Sequence, residues 1–134
     1  MDELNLKGKV AVITGGAGVI CSEMAKSLAA KGVKTAILDL DGEAARKIAG
    51  RLQNEFGTPC IGVAASVLDK ASLEQAKKEI NREFGEIDIL VNGAGGNSPE
   101  ATTKTEIMDG SENPEDTFFG LKTEGFDKVF DLNF

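Results

Sequence analysis

Between residue 9 and residue 92, short unbroken apolar runs alternate with stretches of helical periodicity, and that alternation leaves few ways to fold. Lys9–Thr14 is a continuous apolar run, as expected of a parallel strand covered on both faces. Val19–Lys31 follows, with Ile20, Met24, Ala25, Leu28 and Ala29 at helical spacing, and Gly32 supplies a stop. Thr35–Asp39 reads as a second strand. Glu43–Phe56 reads as a helix with Ala44, Ala45, Ile48, Ala49 and Leu52 on one face, closed by Gly57 and Pro59. Cys60–Ala65 is a third strand. Asp69 is a good N-cap for a third helix that runs to about Phe84 and stops at Gly85. Ile87–Asn92 is a fourth strand. A βαβαβαβ order of this kind implies an α/β fold: a parallel sheet, right-handed crossovers and helices on both faces.

At 134 residues the chain is expected to form a single domain, 1–134, and 41% apolar residues suffice for its core. The net charge of −7 argues against nucleic acid or an anionic membrane as partner. An anionic ligand must then be held locally, by backbone N–H groups and a helix end. The N-terminal segment Met1–Lys7 is polar, with no basic region followed by an apolar run, and no stretch approaches the ~20 apolar residues of a membrane span. Cys21 and Cys60 are expected to be reduced thiols in a cytoplasmic protein. Without histidine or a Cys-x-x-Cys pair, no metal site is expected.

The regular pattern breaks after the fourth strand. Gly96–Lys122 is a long connection containing Pro99, Gly110 and Pro114, with six acids against the single Lys104 between Asn97 and Thr117. A connection this long is usually functional or disordered. Phe118, Phe119 and Leu121 are expected to pin its far end to the core. A last helix is expected from near Thr123, with Phe126, Val129, Phe130 and Asn133 on related faces. Met24 and the phenylalanines read as core, and the acids on the helices as solvated faces.

Three strand ends carry the functional signal. Thr14-Gly15-Gly16-Ala17-Gly18 joins the first strand to a helix that opens with Val19 and Ile20. Glycines let the backbone approach a pyrophosphate, and a helix N-terminus offers unpaired N–H groups and a favourable dipole. Asp39 ends the second strand, 24 residues beyond Gly15, where a carboxylate can accept hydrogen bonds from both adenosine ribose hydroxyls and would repel a 2′-phosphate. Leu40 follows it, so no base directly succeeds the acid. Asn92-Gly93-Ala94-Gly95 ends the fourth strand with small residues that leave room for a ribose. Together these point to a nicotinamide dinucleotide, NAD in preference to NADP. A plain strand-to-helix turn at Thr14–Gly18 and a surface asparagine at 133 are the competing structural readings.

With these motifs in order, the chain resembles the N-terminal part of the short-chain dehydrogenase/reductase family over essentially all of its length. Thr14 and Gly15 match the family's glycine motif, whose two later glycines are Val19 and Cys21 here. Asp39 matches the ribose-binding acid. The family's Asp-Val after the third strand is Ser66-Val67, where a hydroxyl can contact adenine more weakly than an acid. The family's Asn-Asn-Ala-Gly is Asn92-Gly93-Ala94-Gly95, with glycine in second place. The resemblance implies a Rossmann-type doubly wound sheet of order 3-2-1-4 and assigns Gly15, Ala17, Gly18, Val19, Ile20, Asp39, Leu40, Ser66, Val67, Asn92, Ala94 and Gly95 to the cofactor. It places Asn133 in the family's Asn-Ser-Tyr-Lys catalytic group, where it helps organise a proton relay.

Cys21, the connection after Gly96 and the run Thr117-Phe118-Phe119-Gly120-Leu121 resemble the mannonate oxidoreductase (fructuronate reductase) branch of that family. That branch implies an NAD-dependent enzyme interconverting D-mannonate and D-fructuronate, with another sugar acid or a polyol as alternative substrate. It also implies a homo-oligomer, dimer or tetramer. The sequence contains no tyrosine, so the 134-residue chain alone is expected to be inactive. It reads as the cofactor-binding part of a longer oxidoreductase. A non-catalytic NAD-binding module and an inactive fragment are the alternatives.

Overall fold

A computed structural model describes residues 5–134, so the reading of the first four residues lies outside the described part. The chain divides into two compact units, one ending at Ala94 and one running Gly95–Phe134.

The first unit is the expected α/β layer. Its elements are β1 (Val10–Thr14), α1 (Val19–Ala30), β2 (Lys34–Asp39), α2 (Gly42–Phe56), β3 (Cys60–Ala64), α3 (Lys70–Phe84) and β4 (Ile89–Asn92). The four strands are parallel in the order β3-β2-β1-β4, the order that the family resemblance implies. The register sets Thr14 beside Leu38 on one side and beside Asn92 on the other. The C-terminal ends of β1, β2 and β4 therefore share one edge of the sheet.

Each face has its own core. Ile13, Ile37 and Cys60 meet Cys21, Ala25 and Ala29 of α1 and Ala45, Ala49 and Leu52 of α2. On the opposite face Val10, Val12, Ala36, Leu38 and Val63 meet Ala76 and Ile80 of α3. The face that α1 buries is rotated from the expected one. Cys21, Ser22, Ala25 and Ala29 are buried, whereas Met24 is 46% and Ile20 71% exposed. Small side chains let the helix lie close to the sheet, and the larger ones are left at its flank. Both cysteines are free and buried, and burial pushes the Cys60 thiol up.

Local signals set the helix ends. Asp41 accepts the N–H groups of Glu43 and Ala44 at the start of α2, and Asp69 accepts that of Ala71 at the start of α3. The three helices end at Gly32, Gly57 and Gly85, all with positive φ. Asp88 fixes the approach to β4 by accepting from Lys9 Nζ at 2.7 Å and Val10 N at 2.9 Å, which holds its carboxyl below the usual range.

The second unit contains three single 3₁₀ turns (Pro99–Ala101, Pro114–Asp116, Phe118–Gly120) and the helix α4 (Thr123–Asn133). The long acidic connection is thus locally ordered, and its acids help order it. Asp116 pairs with Lys104, Glu100 with Lys122, and Glu112 accepts the N–H groups of Asp109 and Gly110. Phe118 and Phe119 do not pin it to a core, being 67% and 81% exposed and packed edge to face on each other. The buried anchor is Thr117, whose hydroxyl donates to Pro114 O and accepts from Phe119 N. Phe126, Phe130 and Phe134 are exposed as well, so of the phenylalanines only Phe56 and Phe84 pack against the cores.

Among the described residues strand β4 pairs with β1 alone, and Leu90 is 59% exposed. Beside it Val12, Leu38, Leu73, Ile80, Ile87 and Leu90 line an open apolar cavity of about 310 Å³. An unpaired edge next to open apolar surface favours pairing with another chain. The 134-residue chain should therefore associate as its concentration rises. Sedimentation velocity or light scattering should show species heavier than 14.1 kDa, and a clean monomer at high concentration would contradict this.

Candidate functional site

The site is built where β1, β2 and β4 end. Gly15 turns the chain out of β1 with φ +61°, a region that costs a residue bearing a Cβ ~1–2 kcal/mol. A Cβ there would also lie 2.9 Å from Ala94 N, Ala94 Cα and Gly93 O, all backbone atoms with little freedom to retreat. Position 15 thus excludes side chains on two independent grounds. Gly18, in extended conformation, is the N-cap of α1.

Among the described residues no side chain caps α1, and its first turn carries no acid. The contrast with the aspartate caps of α2 and α3 leaves the first N–H groups of α1 to an external acceptor. Val19 and Ile20 flank that opening, 84% and 71% exposed. The helix dipole is worth ~0.3–1 kcal/mol to an exposed anion, a factor of ten at most, so a dinucleotide needs further contacts.

Asp39 stands beside this turn. Its Oδ2 accepts the N–H of Ala17 at 3.0 Å and its Oδ1 that of Asp41 at 3.1 Å. These two bonds orient the carboxylate, and each oxygen keeps a lone pair for a ribose hydroxyl. The cap of the following helix is Asp41, not Asp39. Leu40 is 78% exposed beside it. Ser66 and Val67 are half-buried after β3. The Ser66 hydroxyl accepts from Leu68 N at 3.3 Å, which leaves its proton free to donate.

Thr14, which the sequence marks only as the first residue of the glycine motif, joins the turns. Its Oγ1 accepts from both Gly93 N and Ala94 N at 3.1 Å. The available signal was a buried hydroxyl ending an otherwise apolar strand. Asn92 is exposed next to these residues.

Gly95 and Asn133 belong to the second unit and meet there. Asn133 Nδ2 donates to Gly96 O at 2.8 Å and Val129 O at 2.7 Å, while its Oδ1 accepts from Gly96 N at 3.1 Å. A Cβ on Gly95 would lie 2.7 Å from that Oδ1. The Asn133 side chain is committed to the backbone of Gly96 and is no idle surface amide.

This arrangement fits a dinucleotide: a glycine turn with no room for side chains, an uncapped helix end and an oriented carboxylate. The sequence pattern of the short chain dehydrogenases matches residues 9–134. The chain belongs to the short-chain dehydrogenase family. It is 47% identical over 130 residues to an uncharacterized oxidoreductase, UxuB, of Bacillus subtilis, covering 97% of this chain and 46% of the relative. The solved structure of a candidate D-mannonate oxidoreductase from Haemophilus influenzae, with bound NAD, superimposes with a TM-score of 0.89 at 41% identity. That match covers 97% of this chain and 46% of the other. An NADPH-dependent 3-quinuclidinone reductase from Rhodotorula rubra superimposes with a TM-score of 0.75 at 28% identity, covering 96% of this chain and 43% of the other. Members of the short-chain dehydrogenase family with this fold therefore differ in which nicotinamide cofactor they take. The chain spans about half the length of these relatives.

Gly15→Val should lower NAD affinity at least about tenfold, because the side chain meets fixed backbone. Isothermal titration calorimetry reads this directly, and unchanged affinity would remove the turn from the site.

Proposed function

We propose that this chain is the NAD-binding part of an oxidoreductase that interconverts a secondary alcohol and a ketone on a sugar acid, D-mannonate and D-fructuronate. The observation that carries the cofactor half is the uncapped N-terminus of α1 with Asp39 hydrogen-bonded to Ala17 beside it. The N–H groups of the first turn of α1 receive the pyrophosphate, and the glycine turn, whose own Gly16, Ala17 and Gly18 N–H groups are bonded within the protein, lets it approach. Asp39 receives the ribose hydroxyls of the adenosine half, with Leu40, Ser66 and Val67 around the adenine. Asn92, Ala94 and Gly95 line the nicotinamide half. NAD supplies the hydride acceptor for alcohol oxidation.

NAD is favoured over NADP because Asp39 is an acid where a 2′-phosphate would sit. The likeness to the NAD-bound Haemophilus structure supports the same choice and the sugar-acid substrate. Asn133 serves by holding the backbone at Gly96, a positioning role within the proton relay. The 134 residues include no tyrosine to exchange a proton with substrate, so this chain by itself binds NAD without turnover. Resemblance to the mannonate oxidoreductase branch supports assembly of the longer enzyme as a dimer or tetramer.

Two measurements test this reading. The full-length protein should reduce NAD in the presence of D-mannonate, and no activity on any sugar acid would overturn the substrate assignment. Asp39→Ala should weaken NAD by about tenfold, the loss expected for hydrogen bonds to a charged group, and NADP much less. Equal losses for both, by calorimetry, would remove Asp39 from the ribose.

A further inference from the structure

We propose that Cys21 and Gly93 form one positioning unit that fixes the turn after β4 against the glycine turn after β1; this rests on reading that junction as a dinucleotide site. A Cβ built on Gly93 would overlap Cys21 Sγ and lie 2.7 Å from Thr14 O. The Cys21 thiol and the Thr14 carbonyl together close position 93 to a side chain. Cys21 is 9% exposed on the first turn of α1 and packs with Ile13 and Ala25, so its thiol has little space into which to withdraw.

The same junction is closed from the other side. A Cβ on Gly15 would meet Ala94 and Gly93 backbone at 2.9 Å, and the Thr14 hydroxyl takes both N–H groups of the β4 turn. No layer of side chains separates the two turns. A push on Gly93 is therefore passed to Gly15 and Ala94, which the proposed function sets against the cofactor. Tight packing transmits such shifts instead of absorbing them.

The test is a double-mutant cycle on the chain itself, with NAD affinity read by calorimetry and the melting midpoint read without NAD. Gly93→Ala should weaken NAD about tenfold, and adding Cys21→Gly should recover about threefold or more, since contacting residues couple on this scale. Recovery stays incomplete because Thr14 O still faces the new methyl group. If Gly93→Ala does not fold, Cys21→Val presses on the same contact with Gly93 intact, and it should likewise weaken NAD several-fold. Wild-type NAD affinity in Gly93→Ala or in Cys21→Val, or independent effects in the cycle, would overturn the proposal. Coupling in the melting midpoint with none in NAD affinity would reduce the pair to packing and overturn the positioning role. If the wild-type chain itself does not bind NAD, the dinucleotide reading has failed first and the positioning role falls with it.

Discussion

Strand β1 is hydrogen-bonded on both sides, and the rest of the structure follows from where its C-terminal end therefore lies. Pairing with β2 and β4 brings Thr14, Asp39 and Asn92 to one edge of the sheet, although β4 lies more than seventy residues along the chain. At that edge the Thr14 side chain takes over where the ladder stops and binds two N–H groups of the β4 turn. A parallel sheet leaves open strand ends next to helix N-termini, which is where anionic ligands bind in folds of this kind. Here the helix in question is α1, whose terminus no side chain of its own satisfies.

Close approach has consequences for the residues that surround the edge. Small residues on α1 let it lie against Ile13 and Ile37, which are fully buried. The same closeness leaves no clearance at Gly15 or Gly93. Large apolar residues are displaced to the rim, where Val19, Ile20 and Leu40 surround the proposed site with exposed hydrocarbon. An adenine or nicotinamide ring covering them would recover ~25 cal/mol for each Å² of apolar surface buried. Affinity then comes from combining that burial with a modest dipole contribution and an oriented carboxylate, none of which suffices alone.

Much of this was legible in the sequence, and the parts that were not share a physical cause. Strand and helix existence, the caps at Asp41 and Asp69, and the glycine stops follow from local rules that act over a few residues. The ends of β1, β2 and β4 could be matched to site residues because each motif is contiguous. The buried face of α1 was not legible, since periodicity alone cannot separate Met24 from Cys21 when both fit a helical stripe. The contact between Cys21 and Gly93 was invisible because it joins residues far apart in the chain. Only the fold brings the two residues together. The acidic connection reads as structureless because its order comes from single turns closed by Asp109, Glu112 and Asn113, which leave no period to detect.

The most direct test of the central claim is a nitrogen–proton correlation spectrum of the chain titrated with NAD. NAD should shift the amides of Gly15–Ile20 most, with Leu40 and Ala94 also moving. The amides of Glu43 and Ala44, already bound by Asp41, should stay in place. A spectrum that NAD leaves unchanged, or shifts confined to Lys104–Asp116 in the second unit, would contradict it.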